Sequence, residues 1–336
     1  MAGAAQTEEI VIEESELQKS GIAQYPEYFP LLIQQTLNRN RNSNYKYIFL
    51  AATIIGSLEY KQLFDGLAGE NIEAISICAC DFLGDIKQLL NLFSKLELTD
   101  ISYTFNAQIL NSAQAIEIIT TNNKLNDINL DITFSKNEEI YNFFVALSAN
   151  TTITKVNLLL HINIYTRRYR HEFYEKFESA INFLFENNKT IETFGIEMGL
   201  DDEDTIINSK YFIEDTIKCI TYNNTIKKLK ITMNGERHYR FLLDNYADLC
   251  LIENVLRNNT ALNSLTLCVN DDNEKKVIDS ILNGLQENTM LKKLKIESDY
   301  KRMEYEPNLE SKEKLIKIRE IIERNNKPMI KSARKR

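Results

Sequence analysis

The chain has 336 residues, and its formal net charge of −8 argues against a general nucleic-acid binder, because neutralising phosphates requires a basic surface. No apolar run reaches the roughly 18 residues of a membrane-spanning helix, and the acidic first residues lack the pattern of a signal peptide. The five cysteines, an odd number, favour a reducing, cytoplasmic setting. Pro and Gly are scarce, with 4 and 10 residues, so long flexible linkers are not expected.

The first 43 residues precede the periodic part of the chain. Residues 1–18 are charged and poor in aromatic residues, so we expect this acidic N-terminus to be disordered. Residues 19–43 contain Tyr25-Pro26 and Phe29-Pro30, followed by the apolar Leu31-Leu32-Ile33. This second stretch predicts an N-terminal cap that covers the first open face of a core.

From residue 44 onward, an apolar anchor is followed repeatedly by apolar or aromatic residues three and five positions later, which predicts a strand. Its clearest copies begin with Asn-Thr at Asn224 and Asn259, and the second copy is interpreted as carrying one extra residue after Thr260. The nine anchors are Tyr45, Ile72, Leu98, Leu125, Ile153, Ile191, Ile226, Leu262 and Leu291.

Between these phrases the apolar spacing changes to that of a helix, as in Val277, Ile278, Ile281 and Leu285. A similar face is predicted at Ala113, Ile116 and Ile119. We expect the Asn-rich turn to close each helix, because Asn tolerates the left-handed conformation. One strand–turn–helix unit cannot bury its apolar sides alone. Stacked units therefore predict an α/β solenoid of about nine repeats.

This pattern resembles the leucine-rich repeat family, and units near 28 residues are similar to its ribonuclease-inhibitor and tropomodulin types. The resemblance covers residues 44–327 and implies a leucine-rich repeat solenoid shaped as a curved horseshoe, with a parallel sheet on the concave face and α-helices on the convex face. It also implies an Asn or Cys eight positions after each anchor, bonded to the backbone of the turn. Matching residues are Cys80, Asn106, Asn234 and Asn270, whereas His161 and Gly199 depart from the pattern.

The C-terminal region follows a solenoid predicted over residues 44–310. Residues 311–327 are amphipathic and highly charged, which predicts a C-terminal capping helix. The basic tail, residues 328–336, is compatible with a nuclear-localisation signal, with an acidic partner, or with a solvated terminus.

Three units are longer than the others by roughly eight to ten residues. The extra residues follow predicted strands at 162–171, 199–209 and 235–246, so we expect loops that project from one rim. The first carries Arg167, Arg168 and Arg170, and the second carries an acidic run at 201–204. The rim either binds a partner or pairs its own basic and acidic loops. The acidic run lacks the spacing of a calcium loop, so no metal site is predicted.

Alternation along each strand leaves the positions two, four and six residues after the anchor facing the concave groove. Their character changes from apolar, through acidic, to basic along the chain, which would orient a protein partner, although any soluble solenoid also needs a polar inner wall. With the first insertion, the predicted partner-binding residues are Asp127, Asn129, Asp131, Lys155, Asn157, Glu197, Lys228, Lys230, Lys293, Lys295, Arg167, Arg168 and Arg170.

The three histidines, His161, His171 and His238, lie in no recognisable catalytic motif, and neither a P-loop nor a dinucleotide-binding motif is present. We therefore predict a monomeric, non-enzymatic protein-interaction scaffold that needs no cofactor. The Asn-, Ile- and Lys-rich composition resembles leucine-rich repeat effectors of intracellular bacteria, which would make the partner a host protein met in the host cytosol. The alternatives are an adaptor subunit, for example of a ubiquitin ligase, and an actin-binding tropomodulin-like protein.

Overall fold

A computed structural model of the protein describes residues 9–13, 47–51, 54–55, 72–78, 81–82, 86–104, 106, 108–162, 167–199, 214–234, 246–269, 274–298 and 309–327. The chain divides into two compact units. The first unit comprises residues 1–135 and 145–163, and the second comprises residues 136–144 and 164–336.

The first unit is built on a parallel sheet in the order β1-β2-β4-β6-β8-β9, with the short β7 added beside β8 and a separate β3–β5 pair. Its strands are β1 (Glu9–Glu13), β2 (Tyr47–Ala51), β3 (Ile54–Ile55), β4 (Ala74–Cys78), β5 (Asp81–Phe82), β6 (Asp100–Thr104), β7 (Leu110–Asn111), β8 (Asp127–Phe134) and β9 (Lys155–Ile162).

Among its described residues, the second unit contains four strands that pair in parallel and in chain order. They are β10 (Thr193–Gly199), β11 (Lys228–Asn234), β12 (Ser264–Val269) and β13 (Lys293–Ser298). The helices of the two units are α1 (Ile86–Lys95), α2 (Ser112–Thr121), α3 (Asn137–Ala149), α4 (Arg167–Asn187), α5 (Tyr246–Asn258), α6 (Glu274–Leu285) and α7 (Leu309–Asn326), and residues 214–220 are also helical.

The predicted fold class is confirmed: each of the nine repeated phrases lies on a parallel strand, and helices follow the strands as in a leucine-rich repeat solenoid. Strand register repeats the anchor spacing, because equivalent positions of successive phrases pair directly, as Ile101 does with Ile128. The alternation is also confirmed in β8, where Ile128, Leu130 and Ile132 are buried. Apolar residues near the ends of three strands, Ile132, Leu160 and Met198, are also buried.

Three details differ from the sequence-based expectations. Glu9–Glu13 forms strand β1 within the stretch expected to be disordered, because its β-branched Ile-Val-Ile centre suits a strand beside β2. The first insertion lengthens helix α4 instead of forming a loop as far as residue 171. In α2 a capping box between Asn111 and Gln114 sets the start of the helix, and Ala113 is exposed.

The turns that precede the strands contain an asparagine ladder, with one Asn three positions before each of six anchors. Its members are Asn122, Asn150, Asn188, Asn223, Asn259 and Asn288. In most of them the side-chain oxygen accepts hydrogen bonds from the backbone two and three residues later, as Asn223 does from Thr225 and Ile226 at 2.9 and 2.8 Å. The side-chain amide of Asn223 donates to the Phe185 carbonyl of the preceding repeat at 3.0 Å.

This ladder corrects two interpretations of the repeat. Asn122 is extended, with φ −109° and ψ 101°, so Asn acts here through its side chain and not through a left-handed backbone. Asn223 is equivalent to Asn259, so the copies have equal lengths and no extra residue follows Thr260. Asn106, at the position that the family resemblance implies, also donates to a backbone carbonyl, that of Ile77 at 3.2 Å. Of the other matching residues, Cys80 and Asn270 lie outside the described residues.

The last helix, α7, continues the ladder from its C-terminal turn. Asn325 donates to the Leu291 carbonyl at 2.9 Å and Arg324 donates to the Asn288 carbonyl at 2.8 Å. An ion pair of 2.5 Å between Lys314 and Asp279 joins α7 to α6. Helix α7 spans nearly all of the residues predicted to form the C-terminal capping helix. Its side chains therefore donate to backbone carbonyls that a further repeat would otherwise bond.

Candidate protein-binding face

The strand-lined face of the second unit carries four exposed lysines in two rows. Parallel pairing places Lys228, Ser264 and Lys293 in the first row. It places Lys230, Thr266 and Lys295 in the second row. We call these six residues the lysine face. In each row a half-buried hydroxyl on β12 lies between two lysines from the flanking strands.

This arrangement follows from a repeated pentapeptide, Lys-Lys-Leu-Lys-Ile, at residues 227–231 and 292–296. In its first copy, the apolar side chains Leu229 and Ile231 are buried, so the alternate lysines must face outward. Neighbouring strands lie about 4.8 Å apart and alternate residues about 7 Å apart. The two lysines of one row are thus about 10 Å apart at their backbones, and the rows about 7 Å apart.

Within the lysine face, Lys230 belongs to a weak ion pair. Lys230 Nζ lies 3.9 Å from Glu197 Oε2, a long ion pair, and Glu197 also accepts a hydrogen bond of 2.9 Å from the Thr232 hydroxyl. Such an exposed pair contributes about 0–1 kcal/mol. Beside Lys230, strand β10 presents Gly195, which has no side chain to cover the lysine.

On the strand-lined face of the first unit, an acidic and a basic residue form a short ion pair. Asp100, Asp127 and Lys155 occupy one row, and Lys155 Nζ lies 3.0 Å from Asp127 Oδ2. This hydrogen bond with Asp127 raises the pKa of Lys155. In the next row, the Asn129 amide donates to Ser102 Oγ at 3.2 Å, beside the half-buried Asn157. The acidic part of the predicted charge gradient therefore includes a lysine, Lys155, that pairs with Asp127.

Several predicted binding residues lie elsewhere than expected. Asp131 is only 2% exposed and pairs in register with Leu159, which is also buried, so the accessible face of β8 ends before this row. Arg167, Arg168 and Arg170 lie in the first turn of helix α4, not on a loop. The other two predicted insertion loops, from residue 200 and from residue 235 onward, lie outside the described residues.

No group of three or more His, Cys, Asp and Glu side chains within the described ranges could hold a metal ion. None of the helices described above is both long and apolar enough to cross a membrane. In the helical stretch 214–220, burial raises the pKa of the Cys219 thiol to about 12, and Sγ lies 2.8 Å from the Asn182 oxygen. This thiol is protonated at neutral pH.

A buried carboxylate, Asp215, lies on the same helical stretch. Burial, and secondarily the negative charge of Glu178, raise its pKa from 3.8 to about 6, while Lys218 at 3.3 Å opposes the shift. The folded state therefore binds this proton more tightly than the unfolded state does. The stabilising contribution of the protonated group is complete below about pH 4 and is lost as the pH rises through about 6.

We expect Asp215→Asn, which mimics the protonated group, to raise the free energy of unfolding at pH 7 by up to about 2 kcal/mol. At pH 3.5 the variant and the wild type should differ little, because the wild-type carboxyl is then protonated in both states. Urea unfolding at a series of pH values measures this difference. A variant less stable than the wild type at pH 7 would show that the ion pair with Lys218 outweighs the cost of burial.

Sequence reasoning identified the lysines one by one but not the rows they form. The signal was present: equal positions after successive anchors predict direct pairing, so Lys228 and Lys293 were both expected two residues beyond their anchors. Alternation predicts that the hydroxyl residues Ser264 and Thr266 also face outward, but they are not among the predicted binding residues. The structure adds them because they fill the centre of each row.

No family model matches the chain, and no curated protein matches it. Solved structures that match include actin-binding site 2 of leiomodin-1, at 16% identity and a TM-score of 0.25, over 58% of this chain and 79% of that chain. They also include the complex of Rad7 and Elc1 in yeast, at 15% identity and a TM-score of 0.26, over 84% of this chain and 86% of that chain. Both similarities are too low to indicate a partner or an activity.

Proposed function

We propose that the protein is a non-enzymatic scaffold that binds another protein through its strand-lined faces, chiefly through the lysine face. The observation that carries this proposal is the pair of rows on β11, β12 and β13, where four exposed lysines share one surface of an acidic protein. Side chains on a paired sheet have a fixed spacing before binding, so little ordering cost opposes recognition.

The first unit would contribute less to the initial attraction of a partner. Its Asp127 is already paired with Lys155, so a partner must replace an existing ion pair to use either charge. Polar residues such as Asn129 and Asn157 remain suitable for hydrogen bonds at the edge of a protein–protein interface. We accordingly assign orientation and affinity to the lysine face and a supporting role to the first unit.

The expected result of reversing the lysine face is the loss of the partner. Changing all four lysines of the face to Glu should reduce recovery of a specifically captured protein by at least about tenfold, because attraction becomes repulsion. The measurement is affinity capture from a eukaryotic cell lysate, quantified by mass spectrometry, with wild-type and variant proteins in parallel. Circular dichroism and thermal unfolding check that the variant is folded.

The matched control changes four exposed lysines on helices to Glu, which gives the same total charge. These lysines are Lys95, Lys176, Lys276 and Lys317. The control should retain the partner within about twofold, since these lysines lie outside the strand-lined faces. Equal loss in both variants would mean that binding follows net charge and not the lysine face.

The identity of the captured protein tests the finer predictions. A host protein would support the proposed role as an effector delivered by an intracellular bacterium. Actin, or a subunit of a ubiquitin ligase, would instead support one of the two alternatives. Action as a monomer in the cytoplasm remains part of the proposal.

A further inference from the structure

We infer that the lysine face binds an extended acidic segment of the partner, with two anionic side chains at alternate positions, one over each row. This inference rests on the proposed function and adds the chemistry and conformation of the partner. It begins from the two equivalent rows, each with a hydroxyl residue, Ser264 or Thr266, between two lysines.

The spacing of the rows favours an extended segment. The rows are about 7 Å apart along β12, which matches the distance between alternate side chains of an extended chain, about 6.6–6.8 Å. Neighbouring side chains on one face of a helix are about 5–6 Å apart, so a helix fits the two rows less well. An extended segment that runs along β12 therefore places residues i and i+2 over successive rows.

The chemistry of each row suits one anion. A carboxylate or phosphate above Ser264 has the backbones of Lys228 and Lys293 about 5 Å to either side, within reach of both ammonium groups. The hydroxyl between them can donate a further hydrogen bond. Lysine ammonium groups act as point charges without the planar geometry of arginine, so carboxylates and phosphates fit equally well.

The site is limited to two anions. Beyond the second row, Glu197 on β10 pairs in register with Thr232 on β11 and accepts a hydrogen bond from its hydroxyl. A third anion at i+4 would meet negative charge instead of lysine. A nucleic acid carries a phosphate at every residue and would be repelled by this boundary and by the net charge of −8.

The test uses fluorescence anisotropy with short labelled peptides and the full-length protein. One peptide carries Glu at i and i+2 between Thr and Val residues, and its isomer of the same composition carries the two Glu residues adjacent to each other. We expect the i, i+2 peptide to bind at least about fivefold more tightly, because only it places one carboxylate over each row. A phosphoserine version of the same peptide shows whether phosphate or carboxylate is preferred, and tighter binding of either supports the inference.

Variants test whether binding uses both rows. Lys228→Gln with Lys293→Gln removes one row at a modest change in charge, and it should abolish the preference for the i, i+2 peptide over its isomer. The helix-lysine control described above should keep this preference. Equal affinity of wild type for the two isomers, or tighter binding of single-stranded oligo-dT of equal charge, would overturn the inference.

The two proposals can fail separately. If capture yields a partner that is lost on reversal of the lysine face but neither peptide binds, the scaffold function stands and the extended acidic segment is wrong. If the peptides bind with the expected preference but no partner depends on the lysine face, the proposed function fails while the chemistry of the face stands.

Discussion

Replacing Asn259 with Ala should lower the free energy of unfolding by about 3–5 kcal/mol, the largest effect expected here from a single substitution. Asn259 is only 3% exposed. Its amide donates to the carbonyls of Ile220 and Asn223 at 2.7 and 2.8 Å. Its oxygen accepts from the backbone N–H groups of Ala261 and Leu262 at 2.9 and 2.7 Å.

The cost arises from the groups left behind. Alanine removes all four hydrogen bonds at once, and each buried backbone group left without a partner costs about 1–3 kcal/mol. The side-chain amide forms the hydrogen bonds to the preceding repeat, whereas the side-chain oxygen stabilises the turn that precedes β12. The substitution therefore weakens both the turn and the junction between repeats.

The adjacent Asn258 supplies a matched control. It is exposed, and its amide donates at 3.0 Å to the Asn254 carbonyl within helix α5, so Asn258→Ala should change stability by less than about 0.5 kcal/mol. Urea unfolding followed by circular dichroism gives both values. Hydrogen exchange adds a local measurement, since the Ala261 and Leu262 amides should lose protection only in Asn259→Ala. Equal stabilities of the two variants would show that the ladder is not a main source of stability.

Replacing Gly284 with Ala should destabilise the protein by about 1–3 kcal/mol, although alanine is the better helix former. A Cβ atom at Gly284, in α6, would lie 2.7 Å from the Leu256 Cβ and 2.9 Å from the Glu253 carbonyl oxygen of α5. Neither atom is the end of a flexible side chain. The two helices would have to separate, because their packing depends on the absence of this side chain.

The control is the neighbouring Asn283, which is exposed on the same helix. Asn283→Ala adds helix propensity without a steric conflict, so it should be neutral or stabilising by up to about 0.7 kcal/mol. Thermal unfolding of the two variants beside the wild type gives the comparison. A melting temperature for Gly284→Ala at or above that of the wild type would contradict the close packing of α5 and α6.

Much of the fold could be predicted because the repeat carries two kinds of information. The apolar period located the strands, and the anchor spacing set their register, as the pairing of Leu229 with Leu265 shows. The ladder was missed because asparagine usually indicates an exposed turn. Its burial depends on carbonyl groups of the preceding repeat, such as that of Phe185, 38 residues before Asn223.

The candidate site was predictable to the same extent. Alternation identified Lys228 and Lys293 as outward-facing, but not that Asp127 pairs with Lys155, since an ion pair depends on side-chain conformations that period-2 patterns do not specify. The sequence also did not show that Asp131 is buried. Strand β8 is eight residues long, and its outward-facing side is inaccessible to solvent at this position. Arg167 to Arg170 were assigned to a loop because the length of a unit does not show which element it extends.

The asparagine ladder also bears on how such a chain can change its length over evolution. Asn223 and Asn259 share equivalent bonds, because each amide donates to the carbonyl six residues before the preceding anchor and each oxygen accepts from the backbone two and three residues later. Their numbers differ by 36, so a duplication or deletion of the 36 residues between them would join one valid junction to another. Both junctions require a carbonyl group of the preceding repeat and two backbone N–H groups of the following turn. Gene segments that encode whole repeats can therefore be gained or lost without new residues at the seam. Loss of residues 223–258 would remove Lys228 and Lys230, whereas their duplication would add a second strand that carries these lysines.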